Sequence, residues 1–335
     1  MIKTLARFVL FFFALFPASS VAEPITLKLA FFSSDRSLTY RGAIEPFIEA
    51  VNAEGKGLLK IDLYSGGILG KDIAQQPQVV LDGTADIAFI VPGYTPDRFP
   101  DNFVLELPGL LPNIREGTLV YTQLIAANAL RGYEDFFVIG AFVTEPESIH
   151  SRVPITSIDD LKGKRIRVNN AGEASALERL GAIPVLMQIT KVSDAISKGS
   201  IDGAAVSISP LSDYGIKRVA VSHYFLETSG APLVLLMNRK RFDALPHAAQ
   251  EIIRKYSGAW VAERFIETYE VAVSQVMQQL KSEPNRKLTF PSRQDLDIAH
   301  AAFKAVIAEW AAVSPHHREL LELVESDIAN LRSSR

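Results

Sequence analysis

The sequence predicts an α/β protein built as two lobes, joined directly by crossing strands and spanned by one long helix. Three observations predict it. Strand-like and helix-like segments alternate in two successive blocks, the order that produces sheets covered by helices. No Pro-, Gly- or Ser-rich linker separates the blocks, so the lobes are hinged rather than strung like beads. From residue 247 to about 281, apolar side chains keep a helical spacing with no Pro and a single Gly. At 335 residues, 48% of them apolar, the chain is long enough for about two domains and a large core.

The chain opens with MIKTLARFVLFFFALFPASSVAEP, which carries Lys3 and Arg7, an apolar run over residues 8–16, and small residues ending in Ser20, Val21 and Ala22. That order predicts a signal peptide over residues 1–22, cleaved after Ala22, because the apolar run is too short to span a bilayer. No later stretch is apolar for long enough to cross a membrane, so a soluble protein in an exported compartment is expected. ITLKLAFF (25–32) then reads as a strand, and residues 43–51 place Ile44, Phe47, Ile48 and Val51 at helical spacing. LKIDLY (59–64) is a strand ending in the turn SGGILG, where Ile68 and Leu69 serve as turn anchors. Residues 75–81 form a helix stopped by Gly83, and ADIAFIV (85–91) is the next strand. This βαβαβ order predicts a parallel sheet with helices on both faces, which binds ligands at the carboxyl ends of its strands.

A second block begins near Phe142. KRIRV (164–168) is a strand, 173–180 a helix closed by Gly181, 191–198 a helix closed by Gly199, and AAVSI (204–208) and APLVLLMN (231–238) are strands. A helix over 247–282, roughly 50 Å long at 1.5 Å per residue, exceeds one small domain and is expected to run along both lobes. Residues 296–312 form a further amphipathic helix, and the terminal LRSSR is expected to fray. The first lobe then comprises 25–145 with about 231–258, and the second 146–230 with about 285–315.

Composition removes several function classes. There is no cysteine, which excludes disulfides, thiol chemistry and a lipid attached through Cys. The formal charge of −3 becomes two units more negative without Lys3 and Arg7, and no basic tract is present, so nucleic acid and anionic membrane surfaces are not expected partners. No G-x-S-x-G elbow, Walker loop, G-x-G-x-x-G fingerprint or H-E-x-x-H helix occurs, which argues against an enzyme. The six His are scattered except for His316 and His317, read as a solvated turn. Asp159 and Asp160 resemble a carboxylate pair, but Ser157 ahead of Asp160 makes them a helix capping box. No catalytic residue, metal ligand or cofactor is expected.

One stretch remains unexplained by folding alone: LKGKRIRVNN (161–170). On a strand, Arg165 and Arg167 share one face and Ile166 and Val168 the other. Arg165 can reach outward from the strand start, while Arg167 lies near the carboxyl end, where a cleft would open. A guanidinium fork matches a carboxylate and would grip one strongly in a desolvated cleft. Arg167 could equally pair with an internal acid such as Asp202 or Glu173. The residues alone leave both readings open.

Six segments in order, LYSGGILG (63–70), VVLDGTADIAFI (79–90), FPDNFVLELPGL (99–110), IDDLKGKRIRV (158–168), GSIDG (199–203) and LLMNRKRFDALP (235–246), resemble the solute-binding proteins of tripartite ATP-independent periplasmic (TRAP) transporters. The likeness extends over about residues 25–312. It implies the two-lobed periplasmic-binding-protein fold, closing around a small organic acid and delivering it to the membrane permease subunits. The family's carboxylate-clamping Arg follows D-L-K-G, which is Arg167 here, with Asn169 as a second contact. The same resemblance leaves open a sensor that docks on a membrane receptor, and a periplasmic enzyme on the same fold. A monomer is expected, with a dimer through the long helix as the alternative.

Departures from the sugar-acid binders of this family shape the expected pocket. Glu147 stands where they carry a second Arg; Val91 and Val206 replace polar contacts; Phe32 replaces an Asn; and Ile189 replaces an aromatic ring. A pocket stripped of polar groups would leave ligand hydroxyls unpaired, so a mostly apolar monocarboxylate, such as a branched or aromatic oxo acid, is expected. Further candidates at strand ends are Ser33, Tyr94, Ser148, His150 and Ser207, with the Tyr94 ring able to lie against a ligand.

Overall fold

The computed structural model describes residues 23–333, so the expected signal segment lies outside the described residues. In the first lobe the chain runs β1 (Ile25–Ala30), α1 (Glu45–Glu54), β2 (Leu59–Tyr64), α2 (Gln76–Leu81), β3 (Ile87–Ile90), α3 (Ile114–Ala126) and β4 (Phe136–Val143). It then crosses to the second lobe for β5 (Ser148–Ser151), β6 (Arg165–Val168), α4 (Ala171–Arg179), β7 (Ile183–Leu186), α5 (Val192–Lys198), β8 (Gly203–Val206) and β9 (Ser222–Tyr224). A second crossing returns it through β10 (Pro232–Asn238), α6 (Arg239–Asp243) and α7 (His247–Lys255). Finally α8 (Ala259–Ser282), β11 (Lys287–Thr289), α9 (Arg293–Ala312) and α10 (Pro315–Ser333) follow.

The first sheet has the order β2-β1-β3-β10-β4 and the second β11-β9-β5-β8-β6-β7. The strands β1, β2 and β3 are parallel, as the βαβαβ pattern predicts, with Leu29 beside both Leu63 and Ile87. β10 is antiparallel to both of its neighbours. It enters from the other lobe, so its amino end, rather than its carboxyl end, lies at the cleft. β5 is antiparallel to β8 and β9 for the same reason. The two crossing segments run side by side: Thr144 N donates to Ala231 O at 3.0 Å, Glu147 N to Ser229 O at 2.8 Å, and Thr228 N to Glu147 O at 2.8 Å. Gly230 permits this approach, since a Cβ there would meet Val143 and the Thr144 carbonyl.

The single long helix expected over 247–282 is divided. α7 ends at Lys255, Gly258 adopts φ 61° and ψ −122°, and α8 begins at Ala259. That backbone region is open essentially to glycine alone, and the lone Gly of the helical run therefore marks a break. The spanning role falls to α8, about 36 Å long over its 24 residues. Its Phe265 stacks on Phe142 of β4 at 3.9 Å between ring centroids, in the first-lobe core with Tyr269. Toward its carboxyl end, Val276 and Leu280 pack with Ile196, Val206 and Leu211 of the second lobe.

Three further readings are corrected. Of LRSSR, residues 331–333 continue α10, which buries Leu320, Leu321, Val324 and Ile328, while residues 334–335 lie outside the described residues. His316 and His317 lie in that helix rather than in a solvated turn: His316 Nε2 meets Asp101 Oδ1 at 2.9 Å and His317 stacks on Trp310. Asp160 accepts from Thr156 N and Oγ1, both at 2.8 Å, and also from Ser157, but the short helical turn is capped at Ile158 with no side-chain cap bond, so the capping box is incomplete.

Candidate functional site

The carboxyl ends of β1, β3, β6 and β8, with the crossing segments and one face of α8, enclose a cavity between the lobes. Its free volume is about 50 Å³. Parallel strands end here because each βα turn must leave the sheet on this side. The first lobe supplies an apolar wall of Phe32, Phe89 and Val91, with Phe32 and Phe89 stacked at 5.7 Å. Leu233, near the start of β10, and Ala231, just before it, extend it. Opposite, the second lobe supplies Arg167, Asn169, Ile189 and Ser207, and the first crossing segment supplies Thr144 and Glu147. Tyr94, Tyr214 and Tyr269 complete the lining, with Thr39 Oγ1 2.6 Å from the Tyr269 hydroxyl.

Arg167 is 1% exposed and is among the largest fully buried side chains. Its burial is tolerated because neutral acceptors surround the guanidinium. Nε donates to Met187 O at 2.9 Å and Nη1 to Ala205 O at 2.8 Å; Nη2 donates to Tyr94 Oη at 3.0 Å and Asn169 Oδ1 at 3.1 Å. Desolvation opposes its charge, while Tyr94, Glu147 and Glu173 hold it cationic. Neither internal partner weighed from the sequence bonds to its side chain: Asp202 pairs with Arg165 at 3.4 Å, and the carboxylate oxygen nearest Arg167 is Glu147 Oε2, 3.9 Å from Nη1. A bidentate grip on a ligand carboxylate therefore requires Tyr94 or Asn169 to yield, since four of the five guanidinium N–H groups are already committed.

Three buried acids stand behind this head group. Glu173 Oε2 accepts from Asn169 N at 3.1 Å and Oε1 from Thr228 Oγ1 at 2.6 Å. Glu147 shares a hydrogen bond with Glu173, and burial, then the Glu173 charge, push its carboxyl well above the usual range, against the pull of Arg167. Burial pushes Glu106 up to about 8, with Glu173 adding to it. Room for the Glu106 carboxyl exists because position 93 has no side chain: a Cβ there would collide with Oε1.

The family model for bacterial extracellular solute-binding protein, family 7, matches residues 29–313. The chain belongs to this family. Among its relatives, the sialic acid-binding periplasmic protein SiaP of Vibrio cholerae is 23% identical over 92% of this chain and 95% of its own length. A TRAP solute-binding protein from Rhodoferax ferrireducens T118, solved with copurified benzoate, superposes with a TM-score of 0.84 at 25% identity, covering 92% of this chain and 99% of the other. A marine metagenome TRAP solute-binding protein specific for aromatic acid ligands, solved with 3-hydroxybenzoate, superposes at 0.85 with 24% identity over 92% and 99%. The resemblance to TRAP solute-binding proteins is thus carried by the whole fold and not by six motifs alone.

Of the candidates named from the sequence of this solute-binding protein, Phe32, Tyr94, Arg167, Asn169, Ile189 and Ser207 line the cavity. Ser33, Ser148, Val206 and His150 do not. Ser33 opens on an adjoining surface groove with Ser34, Asp35 and Ser212, and Ser148 on a pocket with Ile208 and Phe225. Val206 is packed in the second-lobe core. His150 is buried against His223, Nδ1 to Nδ1 at 2.8 Å, and its Nε2 meets Val206 O at 3.1 Å. The reason is parity: in extended chain only alternate residues face one side, so Phe32, Glu147 and Ser207 exclude their neighbours Ser33, Ser148 and Val206. The sequence reading missed Phe89, Thr144, Tyr214, Leu233 and Tyr269. Phe89 and Leu233 carried a signal, lying on strands whose ends were already placed at the cleft; Tyr214 and Tyr269 arrive from distant segments and carried none. Among the described residues no cluster of three or more His, Asp or Glu could hold a metal ion.

Proposed function

We propose that this protein captures a mostly apolar monocarboxylate, aromatic or branched, in the periplasm and delivers it to a TRAP membrane permease. The observation that carries the reading is a single buried guanidinium, Arg167, facing a wall of Phe32, Phe89, Val91 and Leu233. A carboxylate satisfies the cation, and an apolar body satisfies the rings. Sugar acids would leave several hydroxyls against that wall without partners, at about 1–3 kcal/mol each. The aromatic acid and benzoate bound by the two similar structures accord with this choice. In the capture step the lobes part, the carboxylate displaces Tyr94 or Asn169 from Arg167, and closure buries it. The free volume is on the order of two waters at ~30 Å³ each, so a ring-bearing acid enters only with such a movement.

Thermal unfolding of the protein without residues 1–22, against aromatic, branched, dicarboxylic and sugar acids, tests this. A ligand held only by the native state raises the melting temperature, by about 2.7 kcal/mol of stabilisation at one hundred times its Kd. A shift with apolar monocarboxylates is expected. A shift confined to dicarboxylates or sugar acids would overturn the ligand class.

A further inference from the structure

Two buried polar atoms in the cavity wall have no hydrogen-bond partner among the described residues: Glu147 Oε2 and Asn169 Nδ2. They flank Arg167, since Asn169 Oδ1 accepts from Nη2 at 3.1 Å and Glu147 Oε2 lies 3.9 Å from Nη1. Glu147 is 3% exposed and Asn169 also 3%. A buried polar atom without a partner costs about 1–3 kcal/mol, so a ligand that supplies the missing partners gains that much selectively. Asn169 Nδ2 is a donor, and a ligand carboxylate already drawn to Arg167 satisfies it.

Glu147 needs something else. Its carboxyl shares a hydrogen bond with Glu173, whose oxygens otherwise accept from Asn169 N and Thr228 Oγ1. Two carboxyl groups bond to each other only through a proton that one of them carries. Oε2 is the oxygen that faces the Arg167 guanidinium, 3.9 Å from Nη1, and a cation there favours a lone pair over a proton, so Oε2 is the acceptor of this carboxyl. A second carboxylate at Oε2 would be repelled, and a 2-oxo group brings only acceptor lone pairs. A hydroxyl brings a donor.

We propose that Glu147 is a specificity-determining residue that selects 2-hydroxy acids, its Oε2 accepting the ligand hydroxyl while Arg167 and Asn169 hold the carboxylate. This rests on the reading of the cavity as a monocarboxylate site and narrows it: the ligand carries one donor beside its carboxylate and is apolar beyond. It also turns the expectation of an oxo acid into its reduced counterpart. Glu147 thus rewards a ligand donor instead of a second anionic or acceptor group.

The test is calorimetric titration with matched trios that differ at one carbon: phenylacetate, mandelate and phenylglyoxylate, then 3-methylbutanoate with its 2-hydroxy and 2-oxo forms. On the wild-type protein the hydroxy acid of each trio is expected to bind at least about tenfold more tightly than both partners, the ratio that 1.4 kcal/mol produces. Glu147→Leu should collapse that ratio, while Glu147→Gln, which keeps an acceptor oxygen, should retain part of it. Equal affinities within a trio on the wild-type protein would overturn the role of Glu147 and leave the monocarboxylate reading intact, whether or not either variant folds. So would a ratio that survives Glu147→Leu. Failure of every member of both trios to bind would overturn both readings together.

Discussion

Arg167 is held by acceptors from four different parts of the chain: the Met187 and Ala205 carbonyls of its own lobe, Asn169 beside it, and Tyr94 from the other lobe. Such a guanidinium is costly to leave unpaired, so a carboxylate that reaches it gains a strong contact. Arg167→Ala is expected to weaken acid binding at least about tenfold, roughly 1.4 kcal/mol; titration of the variant showing wild-type affinity would remove Arg167 from the site. Glu106 makes a separate prediction about pH. Its carboxyl titrates near 4.5 in the unfolded chain and about 8 when buried, so the native state favours the protonated form. Its contribution to stability is complete below pH 4.5 and is lost as pH rises through about 8, with a slope approaching about 1.4 kcal/mol per unit. Urea midpoints at pH 5 and pH 8 should differ more for the wild type than for Glu106→Gln, and parallel profiles would refute the assignment.

At the scale of elements, the strands were legible because their periodicity is local, while helix α8 was legible in type and misjudged in extent. A single glycine within a helical run reads as a tolerated defect, but Gly258 sits at φ 61° and donates its N–H to Ile139 O at 2.7 Å, fixing where α8 begins. Gly258→Ala is expected to cost about 1–3 kcal/mol of stability, seen as a lower melting temperature with ligand affinity at ambient temperature retained; an unchanged melting temperature would show that the turn relaxes freely. The same scale explains the misplaced site candidates. Ser33, Ser148 and Val206 each lie one residue from a cavity-lining position, Phe32, Glu147 and Ser207, and in an extended segment one residue reverses the face. Parity depends on the register of β5 with β8 and β9, in which Ser148 pairs with Val206 and Ile149 with Ala205 and Tyr224. No local pattern encodes those pairings.

For the molecule as a whole, the Tyr94 hydroxyl ties the lobes. It accepts from Arg167 Nη2 at 3.0 Å and from Ile189 N at 3.1 Å, both in the second lobe. Gln188 Nε2 to Asp72 Oδ1 at 2.7 Å and Leu38 N to Asp213 Oδ2 at 2.9 Å are further bonds across the cleft. A ligand shifts the balance of open and closed forms only by its difference in affinity for them, so a latch that also touches the proposed anchor, Arg167, would couple capture to closure. Tyr94→Phe removes the acceptor while keeping the ring. It should raise the radius of gyration of the ligand-free protein in small-angle X-ray scattering and weaken acid binding several-fold; scattering curves identical to the wild type would show that the remaining bonds suffice to close the cleft.

The sequence by itself determined the alternation of strands and helices, the two blocks without a linker, and a charged residue at the carboxyl end of β6 whose partner it left open. These follow from short-range physics: side-chain periodicity, turn residues, and the cost of placing charge on a buried strand. The tertiary structure decided the rest. Only the folded chain shows that Arg165 takes Asp202 while Arg167 takes neutral acceptors, that Glu147 and not Ser148 faces the cavity, and that Tyr214 and Tyr269 reach it from segments far along the chain. Those outcomes depend on register and on which distant segments meet, and pairings across many residues of separation leave no mark in the local pattern.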